Sequence, residues 1–149
     1  MITVCGGSIT RMTHQQTPWR TLHVPTHTDP RGSLTVAEAD TLPFDIRRVY
    51  WLHHISDGAG RGAHATFGSE QVIVPAHGAF TITVSDGGGS SETLRLDDPG
   101  YGLWLGSGVW RDLTDFTDGA VVLVMSSTLY ADTEYVRDYA AYLERVAAR

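Results

Sequence analysis

The segment Arg61–Thr66 (Arg-Gly-Ala-His-Ala-Thr) carries the residue types in this chain that are best suited to chemistry. His64 can take up or release a proton near neutral pH, because the pKa of imidazole is easily tuned by its surroundings. Positions 64 and 66 of a strand face the same side, so we expect Thr66 to share a pocket with His64. Glu70 follows a few residues later, and Arg111 comes from a more distant segment.

This set of side chains predicts a site without a metal. A Zn, Fe or Mn ion needs several neutral or anionic ligands that converge on one point. One His, one Thr and Glu70 do not supply them beside Arg111, because a guanidinium group repels a cation. The chain also has no Lys, which excludes a Lys Schiff base. We therefore expect no metal at this site, which leaves His64 either as a proton-transfer group or as a remnant.

Length and composition limit the class of protein. The 149 residues fit one domain with a sizeable core, and 42% hydrophobic residues with 16 Gly fit an all-β chain rich in turns. The net charge of −6 argues against a nucleic-acid-binding face, although a few Arg can hold a diphosphate locally. No apolar run is long enough for a membrane span, and the single Cys5 fits a reducing compartment, so we expect a cytoplasmic protein.

Short apolar and alternating runs separated by Gly-rich turns predict about nine strands, which is typical of a β-sandwich or barrel. Phe80, Ile82 and Val84 alternate with polar residues, for example, and a Gly-rich turn follows them. Residues 1–18 carry no clear period, so we predict a weakly ordered leader before a single domain at 19–149.

The C-terminal part has a different period. Asp132 or Thr133 can cap a helix. Val136, Tyr139, Leu143 and Val146 then fall at helical spacing. We expect a helix near 132–147 that packs this stripe on the barrel.

Several segments resemble the sugar-nucleotide 3,4-ketoisomerases, the WxcM-like cupins. The resemblance covers roughly residues 19–145, and its motifs are Asp29–Leu34, Pro43-Phe44, Arg48–Trp51, Arg61–Ala65, Glu70–Val72, Gly102–Leu105, Val109–Arg111, Asp115-Phe116, Ser126–Tyr130 and Glu134–Tyr139. It implies a cupin jelly-roll barrel with a C-terminal helix. It also implies an enzyme that moves the keto group of dTDP-4-keto-6-deoxyglucose from C4 to C3 without metal or cofactor. Family members dimerise, often by exchanging N-terminal strands.

The usual family motif is Arg-Gly-x-His-Ala-His, and both histidines are linked to catalysis. His64 matches the first histidine, whereas Thr66 replaces the second. A hydroxyl group cannot act as a base near pH 7, but it can hydrogen-bond a substrate or a water. The second proton-transfer role therefore falls to Tyr50, whose phenol can donate, or to Thr66 with a water.

The remaining candidate residues would bind the substrate. Arg61 and Arg111 could hold the oxyanion that forms next to the carbonyl, or the diphosphate. Trp110 and Trp51 could stack on a sugar or thymine ring. The resemblance makes Arg31 a phosphate or dimer-partner contact, and Glu70 could pair with an Arg or anchor a water.

Two other functions remain open. The Thr66 pocket could select a different proton-transfer or epimerising step on a related nucleotide keto-sugar. Alternatively, the chain could be an inert cupin that binds a sugar nucleotide as the partner of another enzyme. Retention of His64, Arg61 and Tyr50 favours the isomerase, and the change at Thr66 favours the other two.

Overall fold

A computed structural model describes residues 16–149 of the chain. It contains twelve strands in the described part, one short 3-10 helix and one α-helix. The strands are β1 Trp19–His23, β2 Thr26–Asp29, β3 Gly32–Thr35, β4 Arg48–Leu52, β5 Arg61–Phe67, β6 Gln71–His77, β7 Phe80–Ser85, β8 Ser91–Leu96, β9 Tyr101–Leu105, β10 Trp110–Thr114, β11 Val121–Ser126 and β12 Glu134–Val136. The 3-10 helix is Tyr130–Asp132, and α1 is Tyr139–Ala147.

Two antiparallel five-stranded sheets form the body of the protein. One has the strand order β1-β9-β6-β11-β4, and the other has the order β12-β5-β10-β7-β8. Strands β2 and β3 form a separate hairpin. Because β4 and β5 follow each other in sequence but lie in different sheets, their side chains meet from opposite walls of the sandwich. The prediction of an all-β sandwich with a C-terminal helix is confirmed.

The core between the sheets follows the alternating sequence pattern. Phe80, Ile82 and Val84 on β7 are fully buried, as their period of two predicts. Strand β6 is buried along most of its length, because a second apolar cluster covers the other face of its sheet. Because both faces of β6 are covered by packed side chains, this strand is held firmly, and it forms part of the floor of the cavity described below.

The predicted helix near 132–147 begins later than expected. Glu134–Val136 instead form β12, which pairs with β5 so that Tyr135 lies opposite Thr66. Pairing with the otherwise free edge of β5 thus outweighs the helical spacing of Val136, because it satisfies backbone groups at that edge. Helix α1 starts after Asp138, whose side chain accepts a hydrogen bond from the Ala141 N–H at 2.8 Å.

The helix packs mainly through Tyr142, a residue outside the predicted stripe, and Val146 of the stripe packs against the same cluster. Tyr142 is fully buried, whereas Tyr139 and Leu143 are exposed. The Tyr142 phenol lies near the carbonyl oxygens of Ser85 (3.0 Å) and Gly108 (2.9 Å) and can donate to either. The helix is thereby joined to β7 and to the turn before β10.

The weakly ordered N-terminal leader stays a prediction. Residues 1–15 of the predicted leader lie outside the described residues. Strand β1 begins at Trp19 and pairs with β9 of the same chain. No helix in the described part of the chain is long and apolar enough to cross a membrane.

Candidate active site

A cavity of about 560 Å³ lies between the two sheets and is partly open to solvent. Its polar wall contains four arginines, one histidine and three tyrosines, and no Asp or Glu of the described residues lines it. The four arginines are Arg48, Arg61, Arg111 and Arg137. A cavity of this size suits a small organic ligand, and its wholly cationic charge selects an anionic one.

A bulge in β5 sets the direction of His64. The register between β10 and β5 shifts after Arg111, and both Gly62 (φ 85°) and Ala63 (φ 52°) have positive φ. A side chain at Gly62 would place its Cβ only 2.8 Å from the Arg111 carbonyl oxygen. Glycine is therefore needed at this position both for its backbone conformation and for the close approach of β10.

We expect Gly62→Ala to lower both stability and activity. The added Cβ meets the Arg111 backbone, and a non-glycine residue at this φ costs about 1–3 kcal/mol. Gly58→Ala is the matched control, because Gly58 has φ +70° but a Cβ added there would meet nothing within 4 Å. Thermal unfolding and kcat should both fall in G62A relative to G58A. Equal behaviour of the two variants would show that close packing at Gly62 is unimportant.

The hydrogen bonding of His64 defines its chemical form. Its Nδ1 lies 2.9 Å from the Gly62 carbonyl oxygen. Because a carbonyl only accepts, Nδ1 carries the proton and Nε2 keeps its lone pair. Nε2 is buried and has no hydrogen-bond partner among the described residues. The side chain is therefore held as a neutral base with its reactive nitrogen free.

Burial and charge both favour the neutral imidazole. Burial lowers the pKa of His64 to about 4, and the positive charge of Arg111 contributes in the same direction. We expect kcat/KM to stay level between about pH 5.5 and 8, where the base is neutral, and to fall as the pH drops towards 4. A pH profile of initial rates tests this. A loss of activity centred near the ordinary His pKa would contradict it.

Arg111 is a buried cation next to this base. It lies opposite His64 in the β10–β5 register, and only 1% of it is exposed. Its Nη2 donates to Thr66 Oγ1 at 3.2 Å, while Nε and Nη1 have no partner among the described residues. Burial lowers the pKa of Arg111 to about 10, so the group remains charged at neutral pH.

The charge of Arg111 is not balanced by a carboxylate. Within residues 16–149, the ion pairs join Arg31 to Asp29 and Arg145 to Glu134. An unpaired buried charge costs several kcal/mol unless another group compensates it. An anion that reaches Nε or Nη1 from the cavity beside His64 would compensate this charge.

Tyr50 faces the cavity from the other sheet. Burial raises the pKa of its phenol, so the group is protonated at neutral pH and can donate a proton. Arg48 lies on the same face of β4, with its guanidinium carbon 5.1 Å from the Tyr50 ring centre. Arg48 also donates to the Tyr135 hydroxyl at 3.0 Å, and the Tyr135 ring lies 5.3 Å from that of His64.

The structure thus places four of the predicted site residues in the cavity wall: His64, Tyr50, Arg61 and Arg111. It adds residues that the sequence analysis missed, chiefly Arg48, Gln71, Tyr130, Tyr135 and Arg137. Arg48 could have been found from the period of β4, because positions 48 and 50 share one strand face. The last three lie in or beside the unpredicted β12 segment.

Thr66 does not line the cavity as expected. It is completely buried, and its hydroxyl contacts Arg111. The side chain of Arg111 occupies the space that Thr66 was expected to face. A direct role of Thr66 with a water in proton transfer is not supported by this position.

Trp110 also lies outside the cavity. It packs against Tyr139 and Tyr142 of α1, and its indole N–H donates to Asp112 at 2.9 Å. Since successive residues of a strand face opposite sides, Arg111 turns inwards and Trp110 turns towards the helix. The predicted stacking of Trp110 on a ligand is therefore replaced by a structural contact.

Glu70, Arg31 and Trp51 have other surroundings too. Glu70 accepts a hydrogen bond from the Trp104 indole at 2.9 Å and does not reach the cavity. Arg31 lies on the β2–β3 hairpin with its side chain 90% exposed, and it pairs with Asp29. Trp51 is largely exposed on the face of β4 opposite Tyr50. Within one chain, none of them contributes to the cavity.

The described residues do not form a metal site at this position. Among residues 16–149, no three His, Cys, Asp or Glu side chains lie close enough together to hold a metal ion. His64 is accompanied by cationic and phenolic groups rather than by further ligands. The cavity residues suit proton transfer next to a stabilised negative charge.

The model of the family described as "FdtA: WxcM-like, C-terminal" matches residues 17–147. The chain belongs to this family. The resemblance inferred from the motifs is confirmed by this match. A curated relative from Aneurinibacillus thermoaerophilus, TDP-4-oxo-6-deoxy-alpha-D-glucose-3,4-oxoisomerase, is 36% identical over 120 residues, which are 80% of this chain and 86% of the relative.

Solved structures agree with this assignment. QdtA from Thermoanaerobacterium thermosaccharolyticum, a 3,4-ketoisomerase crystallised as a His-to-Asn variant with TDP-4-keto-6-deoxyglucose, matches with a TM-score of 0.85 and 31% identity over 90% of this chain and 97% of that one. The TDP-quinovose 3,4-ketoisomerase WlaRB from Campylobacter jejuni matches with a TM-score of 0.80 and 34% identity over 87% and 99% of the two chains. The cupin-like ketoisomerase fold is thus established for this WxcM-like chain.

Proposed function

We propose that this chain is a 3,4-ketoisomerase that moves the keto group of a TDP-linked 4-keto-6-deoxyhexose between C4 and C3. Relatives with this named activity align with most of the chain. The observation that carries the mechanism is a neutral His64 with a free Nε2, placed beside the unpaired buried charge of Arg111 within the described residues. This pair suits removal of a proton next to a carbonyl group.

In the proposed reaction, His64 Nε2 takes the proton from C3, and the electrons of the broken C–H bond form an enediolate. Arg111 stabilises the negative oxygen through Nε and Nη1. The O3 hydroxyl proton passes to O4 as O3 becomes the new carbonyl oxygen. A second proton transfer adds a proton at C4, and the donor is later reprotonated through solvent by the proton that His64 took. Tyr50 is the proposed donor for this transfer, because it is protonated and lines the same cavity. No net oxidation occurs.

The other arginines of the cavity suit the TDP group. Arg61 and Arg137 are exposed, and Arg48 is half-buried, so all three can meet an anion that enters from solvent. Guanidinium groups bind phosphate oxygens through paired N–H donors. We place the diphosphate among them and the sugar ring deeper, between His64 and Tyr50.

We also propose a cytoplasmic homodimer. The hairpin β2–β3 is exposed along both strands, and Leu34 is 63% exposed. Since β1 pairs within its own chain, we assign the exchanged N-terminal segment to this hairpin, which would bring Arg31 to a partner subunit. Analytical ultracentrifugation of the full chain tests the dimer, and a monomer at micromolar concentration would contradict it.

The decisive experiment uses the purified protein with TDP-4-keto-6-deoxyglucose in D₂O, followed by proton NMR. A 3-keto product that carries deuterium at C4 supports the isomerase. Exchange at C3 without a new product would assign His64 to a different step on a related keto-sugar. Binding without any exchange would favour the non-catalytic sugar-nucleotide binder and overturn the proposal.

A further inference from the structure

The side chain of Thr66 hydrogen-bonds the buried guanidinium group of Arg111. Its hydroxyl is completely buried and accepts the hydrogen bond from Arg111 Nη2. This is the only hydrogen bond from the Arg111 guanidinium to a described side chain, because Nε and Nη1 have none. Among the described side chains, the Thr66 hydroxyl is therefore the one that orients the buried cation by a hydrogen bond.

The fixed orientation matters because an arginine side chain is long. In a free side chain several rotamers compete, and fixing one of them costs conformational entropy. A planar guanidinium held at Nη2 leaves Nε and Nη1 at defined positions. Since Arg111 and His64 are partners in the β-ladder, those positions lie next to the base.

We propose that Thr66 is a positioning residue, whose hydroxyl holds Arg111 so that Nε and Nη1 meet the oxyanion formed when His64 removes a proton. The inference rests on the proposed function for the identity of that oxyanion. It changes the role expected for Thr66, which acts through Arg111 and not as a proton relay. Preorganised donors of this kind stabilise charge that develops only in the transition state.

Several other charged or titratable groups lie around His64 and can also influence its titration. Arg111 faces it from β10 and Tyr50 faces it from β4, while the Asp112 carboxylate of β10 acts on it only through its charge. Tyr135 and Arg137 come from β12 and the residue after it, and Arg61 belongs to β5 itself. Among these groups, Arg111 is the one that hydrogen-bonds the Thr66 hydroxyl. A shift in the His64 midpoint that is lost in the Arg111→Met background is therefore assigned to this contact.

The first measurement compares kcat and KM of Thr66→Val and Thr66→Ser. We expect T66V to lower kcat about tenfold with KM nearly unchanged, because a hydrogen bond from a charged donor is lost. T66S keeps the hydroxyl and should restore most of the rate. Thr83→Val is the matched control, because Thr83 bonds Thr93 at 3.0 Å on an exposed part of β7. Should T66V fail to fold, Thr66→Ala replaces it.

The second measurement needs no substrate. NMR titration of His64 in the ligand-free protein should give a higher midpoint in T66V than in wild type, because the guanidinium is no longer held beside it. Arg111→Met should raise the midpoint further, and T66V should add nothing in that background. If the wild type has no turnover but these shifts occur, the positioning role stands and the proposed function fails. If T66V matches T83V in both midpoint and kcat, the positioning role is overturned.

Discussion

His64→Asn should lower kcat by about three orders of magnitude while TDP still binds. General-base catalysis contributes about 10²–10⁴-fold, and Asn has no group that can accept the C3 proton near neutral pH. Its side-chain amide can still donate to the Gly62 carbonyl oxygen that His64 Nδ1 now contacts. The bulge should therefore keep its shape, so that the loss falls on chemistry and not on binding.

Initial rates and TDP binding by calorimetry measure the two effects separately. His77→Asn is the matched control, because His77 is exposed at the end of β6 and does not line the cavity. That variant should keep wild-type kcat. Turnover by H64N within tenfold of wild type would remove His64 from the role of base. Loss of TDP binding would assign the residue to ligand recognition instead.

Arg111→Met should lower kcat/KM by about 10²–10³-fold and leave the fold as stable as before or more stable. Removal of one donor to a developing oxyanion typically has that kinetic effect. The stability effect has the opposite sign, because a buried charge without a carboxylate partner is destabilising and Met fills a similar volume. A single variant should therefore lose activity without losing stability.

Thermal unfolding and kcat/KM measured on the same preparation check this prediction. Arg47→Met is the control, since Arg47 is exposed and outside the cavity. The pKa of His64 should rise in R111M, because the neighbouring positive charge that lowers it is gone. A strongly destabilised R111M would mean that the charge is satisfied within the protein and is not waiting for a ligand.

The sequence predicted the parts of the structure that depend on local alternation. Phe80, Ile82 and Val84 entered the core as their period required. His64 and Tyr50 met in one cavity because each lies on an inward face of a recognisable strand. The activity was predicted from the family motifs, because composition alone does not specify it.

The errors came from contacts between distant segments. Tyr135 and Arg137 were missed because β12 forms only through pairing with β5, and its own residues have helical spacing. Trp110 and Arg111 were both assigned to the ligand, although neighbours in a strand face opposite sides. For Thr66, the alternation of the strand indicated the correct face. That the Arg111 side chain covers Thr66 could not be predicted, because Arg111 lies on a neighbouring strand 45 residues away in sequence.

Because β12 is the last strand in the chain, the cavity is completed late during synthesis. Tyr130, Tyr135 and Arg137 complete the cavity wall, and both other walls come from strands that precede residue 127 in the chain. A chain that has emerged only as far as β11 has the base and the buried cation but lacks this wall. Ligand binding during synthesis would therefore report the docking of β12, and a bound sugar nucleotide would favour that docking by mass action.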